Sequence, residues 1–192
     1  MRMLDDPKLD AKKTALVVID LQKGVVGRPV VPHSAPQILE RANRLAEAMR
    51  TRGGTVVYVR VDFNDFLRLP VDQPPAIPEG PLPAELSEIV AEAGMLPGDA
   101  LVTKRHHGAF ARTELESLLR ARGVETVVLC GVSTSVGVEA TLRQGTGLGF
   151  AFVVAEDACG AMTVEEHEYA VKNIFPKLAR VRSTEEVIAA LG

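Results

Sequence analysis

Residues 127–141 read Val-Val-Leu-Cys-Gly-Val-Ser-Thr-Ser-Val-Gly-Val-Glu-Ala-Thr. The first part is an almost continuous apolar run, which is typical of a strand covered by helices on both faces. Small hydroxyl residues follow at 133–135, and such residues commonly cap the start of a helix. The stretch therefore predicts a buried strand, a tight turn and the first turns of a helix, which is the repeating unit of an α/β fold.

The same alternation of short apolar runs and amphipathic stretches continues outward in both directions, and it predicts parallel strands joined by helices. We expect a three-layer α/β/α fold, Rossmann-like, with a doubly wound six-stranded parallel sheet and a single domain over residues 1–192. The predicted strands are Thr14–Leu21, Thr55–Val61, Ala100–Lys104, Thr126–Gly131, Phe150–Ala155 and Ala179–Arg182. The predicted helices are Pro36–Arg52, Ala84–Ala93, Thr113–Arg122, Ser135–Gln144, Glu165–Pro176 and Thr184–Leu191.

Three chemically informative residues fall at or just past predicted strand ends: Asp20, Lys104 and Gly137. Parallel sheets of this kind bind ligands in the crevice beyond the carboxyl ends of their strands. The Pro-rich stretch 70–83 predicts a long loop over the end of the second strand, a common place for lids and specificity loops. We therefore expect the three residues to meet at this edge of the sheet.

The composition is that of an ordinary globular protein. Hydrophobic residues make up 46% and charged residues 24% of the 192 residues, and the formal net charge is −3. This weak negative charge gives no reason to expect a nucleic-acid partner, and no run approaches the length of a membrane span. We expect no membrane or nucleic-acid partner.

The two cysteines and the start of the chain bear on the compartment. Cys130 lies in one predicted strand and Cys159 follows another, which favours buried thiols in a reducing cytosol, with a disulfide between them as the alternative. Residues 1–6 are acidic and lack the apolar region of a secretory signal. The sequence predicts a cytoplasmic protein.

Three segments together carry a family resemblance. Residues 15–22 read Ala-Leu-Val-Val-Ile-Asp-Leu-Gln, residues 101–104 read Leu-Val-Thr-Lys with Phe110 and Thr113 following, and the third segment is 131–141. They resemble the isochorismatase-like hydrolases, or cysteine hydrolase superfamily, most of whose members show Gly-Val-x-Thr-x-Val-Cys-Val-Glu-Ala-Thr. The resemblance runs from Ala15 to Val187, and this chain carries Gly137 where those members carry cysteine.

The resemblance assigns catalytic roles to Asp20 and Lys104. It implies that Asp20 is a general acid/base and that Lys104 orients it and stabilises developing charge. A buried carboxylate without a partner costs roughly several kcal/mol of stability. A lysine at the end of another strand would supply that partner, so Asp20 and Lys104 fit these roles. The alternatives are a turn aspartate and a solvated lysine, each at a strand end.

The turn at 131–134 resembles the one in which the family carries a cis peptide bond, which would here join Val132 to Ser133. Its implied purpose is to aim backbone N–H groups into the crevice as an oxyanion hole, next to a helix N-terminus. The alternative is an ordinary strand-to-helix turn capped by Ser133 or Thr134.

Gly137 cannot serve as a nucleophile because it has no side chain. Some family members also lack the cysteine, and some of these carry glycine there. The resemblance to them implies a reaction with no covalent step, in which the aspartate protonates an enol-ether carbon and water adds to the resulting cation. Gly137 could instead serve helix packing or mark a lost activity. A second alternative is hydrolysis of a C–N bond, with Ser135 or an activated water as nucleophile. A third is a non-catalytic family member that serves in binding or assembly.

The candidate substrate contacts flank this centre, and an arginine among them would hold a substrate carboxylate. They are Gln22, Arg60, Asp62, Phe66, Arg68, Phe110 and Ser135. Nicotinamidase-type relatives place a metal-binding Asp-x-His pair after the second strand, but residues 60–68 contain no histidine, and the adjacent His106 and His107 favour a surface position. We therefore expect neither metal nor cofactor. The resemblance implies a small-molecule substrate that carries a carboxylate, and a homo-oligomer, a dimer or larger.

Overall fold

The structure is a computed structural model that describes residues 8–75 and 77–191. Six strands form one sheet in the order β3-β2-β1-β4-β5-β6, and each neighbouring pair is parallel. The strands are β1 Thr14–Ile19, β2 Thr55–Val61, β3 Ala100–Lys104, β4 Thr126–Val132, β5 Ala151–Gly160 and β6 Arg180–Arg182. The predicted α/β/α fold with a doubly wound parallel sheet is therefore confirmed.

The helices are α1 Lys23–Val26, α2 Ala35–Thr51, α3 Leu115–Ala121, α4 Glu139–Gly147, α5 Val164–Tyr169 and α6 Thr184–Ala190. Helices α1 to α5 lie between strands, α6 follows β6, and β2 is joined to β3 by a segment with two 3-10 turns. Wider π-helical turns at Thr134–Val138 and Ala170–Ile174 precede α4 and follow α5, and 3-10 turns lie at Ala11–Lys13, Ala84–Ser87, Ala91–Ala93 and Phe175–Lys177. In the described part of the chain, none of the helices is both long and apolar enough to cross a bilayer.

Burial explains the apolar sequence of the central strands. Every residue of β1 is buried, and so are six of the seven residues of β4. Helix α2 covers one face with Ile38, Leu45 and Met49. Each such side chain contributes about 1.5–3 kcal/mol when it leaves water, so the centre of the sheet is a rigid platform for the loops at its edge.

The predicted helix Ala84–Ala93 is wrong, because this segment pairs with the loop after β1 instead. Glu88 is extended between two 3-10 turns, and its carbonyl accepts a hydrogen bond from the backbone N–H of Lys23 (3.0 Å). The N–H of Val90 donates to the carbonyl of Leu21 (3.0 Å). The tertiary hydrogen bonds satisfy backbone groups that a helix would otherwise pair, so local propensity does not decide this segment.

The central strands approach each other most closely at Gly131. Its φ is +123°, a left-handed value, and a Cβ built there would lie 2.1 Å from the carbonyl oxygen of Ile19. Only glycine fits this position without moving β1. The pairing of β4 with β5 also changes register here, since Leu129 pairs with Val154 but Gly131 pairs with Cys159. Residues 155–158 of β5 therefore bulge out of the ladder, and a bulge of this kind redirects side chains.

Candidate active site

Asp20 directly follows β1 at the carboxyl edge of the sheet. Its φ is +55°, which is uncommon outside glycine but tolerated by aspartate, and its N–H donates to the carbonyl of Val59 (2.8 Å). The residue is 7% exposed. The backbone turn thus holds a carboxylate in the protein interior, where it requires a partner.

That partner is Lys104, the last residue of β3, which is 2% exposed. Its Nζ lies 2.7 Å from Oδ2 of Asp20 and also donates to the carbonyl oxygen of His107 (2.6 Å). The pair reaches across β2, which lies between β1 and β3. The structure therefore brings the predicted acid/base and lysine into direct contact and excludes the solvated alternatives.

Burial and charge act in opposite directions on Asp20. Desolvation raises the pKa of its carboxyl above the ordinary value, and the ammonium of Lys104 offsets part of that rise. Because its pKa is raised, Asp20 is protonated at a higher pH than an exposed aspartate would be. A carboxyl in this setting is suited to donate a proton and take it back.

Gly137 faces this pair, as predicted. A Cβ built there would lie 3.3 Å from Nζ of Lys104, 3.4 Å from Oδ2 of Asp20 and 3.1 Å from Cγ2 of Ile19. Any side chain at this position would touch both charged groups. Glycine leaves the ion pair without the thiol or hydroxyl that a larger residue would supply.

The turn before this helix has the predicted cis peptide bond between Val132 and Ser133. Ser133 occupies the N-cap position of the helix, but no side-chain cap hydrogen bond forms. The hydroxyl of Thr134 instead lies 2.9 Å from Nδ1 of His167. The alternative of a turn capped by Ser133 or Thr134 is therefore wrong.

Three buried oxygen atoms have no hydrogen-bond partner among the described residues: Asp20 Oδ1, Ser133 Oγ and Ser135 Oγ. Buried polar atoms in proteins almost always have a partner, so each such exception calls for a cause. The two serines belong to the same helix start as Gly137, and a Cβ built at Gly137 would lie 3.4 Å from Oδ2 of Asp20. A polar ligand that reached these oxygen atoms would satisfy them.

Gln22 and Phe110 belong to the scaffold. The Gln22 side chain is fully buried, donates to the carbonyls of Val61 (3.0 Å) and Leu86 (3.2 Å), and accepts from the N–H of Val61 (2.7 Å). The Phe110 ring stacks on Phe150 at 5.7 Å between centroids. Their side chains are occupied by the backbone and the core in this structure, and substrate contact by these two residues stays a prediction.

The predicted arginines also have partners. Nε of Arg60 donates to Oγ1 of Thr103 (3.1 Å), so this side chain lies along β3. Arg68 donates to the carbonyls of Ile77 (3.1 Å) and Pro78 (2.8 Å) and thereby closes the Pro-rich loop. Both arginines support the scaffold in this structure, and neither is held toward Asp20.

Asp62 and Phe66 lie where the Pro-rich loop leaves β2. The Asp62 carboxylate accepts a hydrogen bond from the N–H of Asn64 (3.0 Å), which fixes a turn. The Phe66 ring packs edge-on against His107 (5.2 Å), and both border a cavity of about 160 Å³ under the loop. Phe66 is linked to Lys104 through His107, whose carbonyl accepts a hydrogen bond from Nζ of Lys104. Asp62 is linked directly, because its backbone N–H donates to the carbonyl of Lys104 (3.1 Å).

Sequence reasoning missed Thr141, which fixes the helix that carries Gly137. Its hydroxyl donates to the carbonyl of Gly137 (2.7 Å) and accepts from the N–H of Ala109 (3.0 Å). This joins the helix start to the segment after Lys104. The threonine that ends the family motif was the available signal.

The cysteines take no part in this centre. Both are buried and unpaired, and burial raises the pKa of Cys130 to about 12 and that of Cys159 well above its ordinary value. A thiol with such a pKa is not a nucleophile near neutral pH. The prediction of buried thiols is confirmed, and the disulfide alternative is wrong.

One further group in the described part of the chain has metal-ligating side chains in proximity: His33, Glu156 and His167, whose donor atoms lie within 4.8 Å of one another. Sequence analysis did not predict this cluster, because its three residues come from a loop, the β5 bulge and α5. This histidine–glutamate cluster shares no residue with the Asp20–Lys104 pair.

Comparison with known proteins identifies the family of this chain. Residues 14–186 match the isochorismatase domain family. The chain is 45% identical over 188 residues to an uncharacterized isochorismatase family protein, YecD, of Escherichia coli O157:H7, covering 96% of this chain and 99% of that protein. It is 27% identical over 190 residues to a maleamate amidohydrolase of Pseudomonas putida, covering 94% and 87% of the two chains. The solved structure of an isochorismatase family protein from Burkholderia thailandensis has a TM-score of 0.91 at 36% identity, covering 96% and 98%.

Proposed function

The chain belongs to the isochorismatase family of hydrolases, and on that basis we propose that it hydrolyses a small carboxylate-bearing metabolite without a covalent intermediate. Asp20 is the general acid/base, Lys104 orients it, and Gly137 leaves space for the reacting group. The observation that carries the proposal is the buried Asp20–Lys104 contact of 2.7 Å directly beside Gly137.

Electrostatics favours an anionic substrate. When Asp20 is protonated, the buried ammonium of Lys104 is left without a counter-charge, and a substrate carboxylate near it would restore neutrality. Binding of the anion and protonation of Asp20 therefore favour each other. The N-terminal N–H groups of the helix at residues 134–137 add further favourable interactions with negative charge.

The reaction that suits this centre is hydrolysis of a vinyl ether. The Asp20 carboxyl transfers its proton to the terminal enol-ether carbon. The resulting oxocarbenium ion is stabilised by the Asp20 carboxylate. Water adds to that cation and returns a proton to Asp20, and the hemiketal collapses to an alcohol and a 2-oxo acid. One water molecule is consumed, and no group of the protein is covalently modified.

A panel of enol-ether carboxylates tests this reaction. In D₂O we expect one deuterium in the methyl group of the 2-oxo acid, because the transferred proton comes from an exchangeable carboxyl. In H₂¹⁸O the alcohol product should contain no label, because water attacks the vinyl carbon. Label in the alcohol would contradict the proposed bond cleavage.

A second candidate is hydrolysis of a C–N bond with Ser135 as nucleophile. Two observations favour it: the unpartnered, buried Oγ of Ser135 and the similarity to a maleamate amidohydrolase. Ser135→Ala separates the candidates, with Ser133→Ala as the matched control on the same turn. Loss of amide turnover in Ser135→Ala alone, with an acyl-enzyme trapped in the wild type, would favour the second candidate over the first.

A non-catalytic binding member is the remaining alternative. It predicts ligand binding with no turnover on either the enol-ether or the amide panel. Turnover that Asp20→Asn abolishes would exclude it.

A further inference from the structure

We propose that His33, Glu156 and His167 form a binding site for a divalent transition-metal ion of the Zn²⁺ class. Two imidazoles and one carboxylate are an established zinc ligand set, with water completing the coordination. This site is separate from the Asp20–Lys104 pair, and the inference does not depend on the proposed hydrolysis.

The three ligands come from elements that are independently fixed. His33 follows Val31, which forms two backbone hydrogen bonds with Ala161 (3.0 and 2.8 Å). Glu156 lies in the bulged part of β5, which directs it out of the strand ladder. His167 lies in α5, whose start is fixed by the capping box of Thr163 and Glu166. The fold therefore assembles the cluster before any ion binds.

Direct hydrogen bonds do not account for this cluster. One Oε2 atom of Glu156 lies 3.9 Å from Nε2 of His33 and 3.8 Å from Nε2 of His167, and both separations exceed a hydrogen bond. Ligand atoms on one tetrahedral zinc lie about 3.4 Å apart. All three donor atoms lie within 4.8 Å of one another, and rotations of His33 and Glu156, whose side chains are 24% and 33% exposed, would bring them to coordination distance.

A hydrogen bond to Thr134 orients His167, the most buried of the three proposed ligands. Nδ1 of His167 lies 2.9 Å from Oγ1 of Thr134. With the proton on Nδ1, the ring donates to this hydroxyl, and the lone pair of Nε2 is left for a metal. Metal-binding histidines almost always have such a partner on the other ring nitrogen, and this one is buried.

The site also has room for exogenous ligands. The cluster borders a cavity of about 460 Å³. Two of the basic residues nearby have acidic partners: Lys172 pairs with Glu168 (2.8 Å), and Arg41 pairs with Asp157 (3.5 Å). Their charges are therefore largely offset where a cation would bind.

Zn²⁺ titration of the chelator-treated full chain, followed by calorimetry, tests the proposal. We expect one ion per chain, and at least about tenfold weaker binding in His33→Ala and in Glu156→Gln, since each removes one of three ligands. His106→Ala is the control and should bind as the wild type does. Thr134→Val should weaken binding by about 10–100-fold, the usual effect of a second-layer partner.

A structural measurement completes the test, because a weakened variant could also be misfolded. Circular dichroism of each variant should match the wild type, since His33 and Glu156 are only partly buried. Crystals soaked in ZnCl₂ should show an anomalous peak between the three side chains. Full-strength binding in both ligand variants, or binding lost in His106→Ala, would overturn the proposal, as would a wild type that binds no better than His33→Ala.

Discussion

The Asp20–Lys104 pair and the histidine–glutamate cluster both contact the helix start at residues 134–137, yet they suit different chemistry. In the first, a carboxylate in the interior meets a single ammonium at 2.7 Å. In the second, a partly exposed carboxylate faces two imidazoles at 3.8 and 3.9 Å beside an open cavity. A buried carboxylate with one counter-charge suits proton transfer, whereas a carboxylate shared by two imidazoles suits metal binding.

The largest expected difference between the two regions is in turnover. Asp20→Asn should lower kcat/KM by about 10²–10⁴-fold, because an amide cannot transfer the proton. Glu156→Gln is the matched change in the other cluster and should stay within about threefold of the wild type in chelator-treated buffer, since surface changes away from a site have small effects. Steady-state kinetics on the most active enol-ether substrate measures both. Equal losses in the two variants would remove the distinction between the regions.

The second difference is in stability. Lys104→Met should lower the free energy of unfolding by about 3–5 kcal/mol, because it leaves the Asp20 carboxylate buried without a counter-charge. His33→Ala should cost less than about 1 kcal/mol, since its side chain is partly exposed.

Urea unfolding at neutral pH compares these variants. The double variant Asp20→Asn, Lys104→Met should recover part of the loss, because no charge remains buried. A Lys104→Met variant as stable as His33→Ala would mean that the ion pair does not matter for folding.

A thiol placed at the glycine sharpens the geometry of the first region. Gly137→Cys should be alkylated by iodoacetamide at least about tenfold faster than Cys130 or Cys159 in the folded protein, because an adjacent ammonium lowers the pKa of a thiol. Mass spectrometry of tryptic peptides identifies the modified cysteine, and the wild type is the control. Unmodified Cys at position 137 would show that reagents do not reach the ion pair.

The smallest effect concerns pH. Burial raises the pKa of Asp20 in the folded protein, so the folded state binds more protons than the unfolded state between the two pKa values. The contribution of this group is fully favourable below the unfolded pKa of about 3.9 and is lost as the pH rises through the higher folded value.

Unfolding free energies of the wild type and Asp20→Asn, measured from pH 4 upward, check this linkage. Their difference should move against the wild type with rising pH, by at most about 1.4 kcal/mol per pH unit, until Asp20 is fully ionised. A difference that moves in favour of the wild type would mean that Lys104 lowers the pKa more than burial raises it.

Strong local patterns made much of the fold predictable. The apolar runs of β1, β2 and β4 reflect burial on both faces, and the run of β1 reveals the strand end where Asp20 lies. The helix predicted at Ala84–Ala93 failed because its backbone groups pair with Leu21 and Lys23, a contact that depends on distant residues. Local propensity carries no information about such pairing.

The candidate site divides in the same way. Asp20, Lys104 and Gly137 could be predicted because a parallel sheet gathers its strand ends at one edge. Arg60 and Arg68 could not be judged from sequence, since a long side chain can turn toward the scaffold as readily as toward a ligand. The histidine–glutamate cluster depends on a bulge in β5, which leaves no clear mark in the local sequence.

The close approach at Gly131 has a consequence for engineering this protein. Its backbone lies against the carbonyl of Ile19, and Ile19 directly precedes Asp20. The spacing between Asp20 and the helix after β4 is therefore set by a contact between two backbone segments. Backbone atoms cannot change rotamer, so this contact cannot relax as a side-chain contact can. New nucleophiles or wider pockets can be tried at position 137 while this spacing holds, but a methyl group at position 131 would force the two strands apart and displace the acid itself.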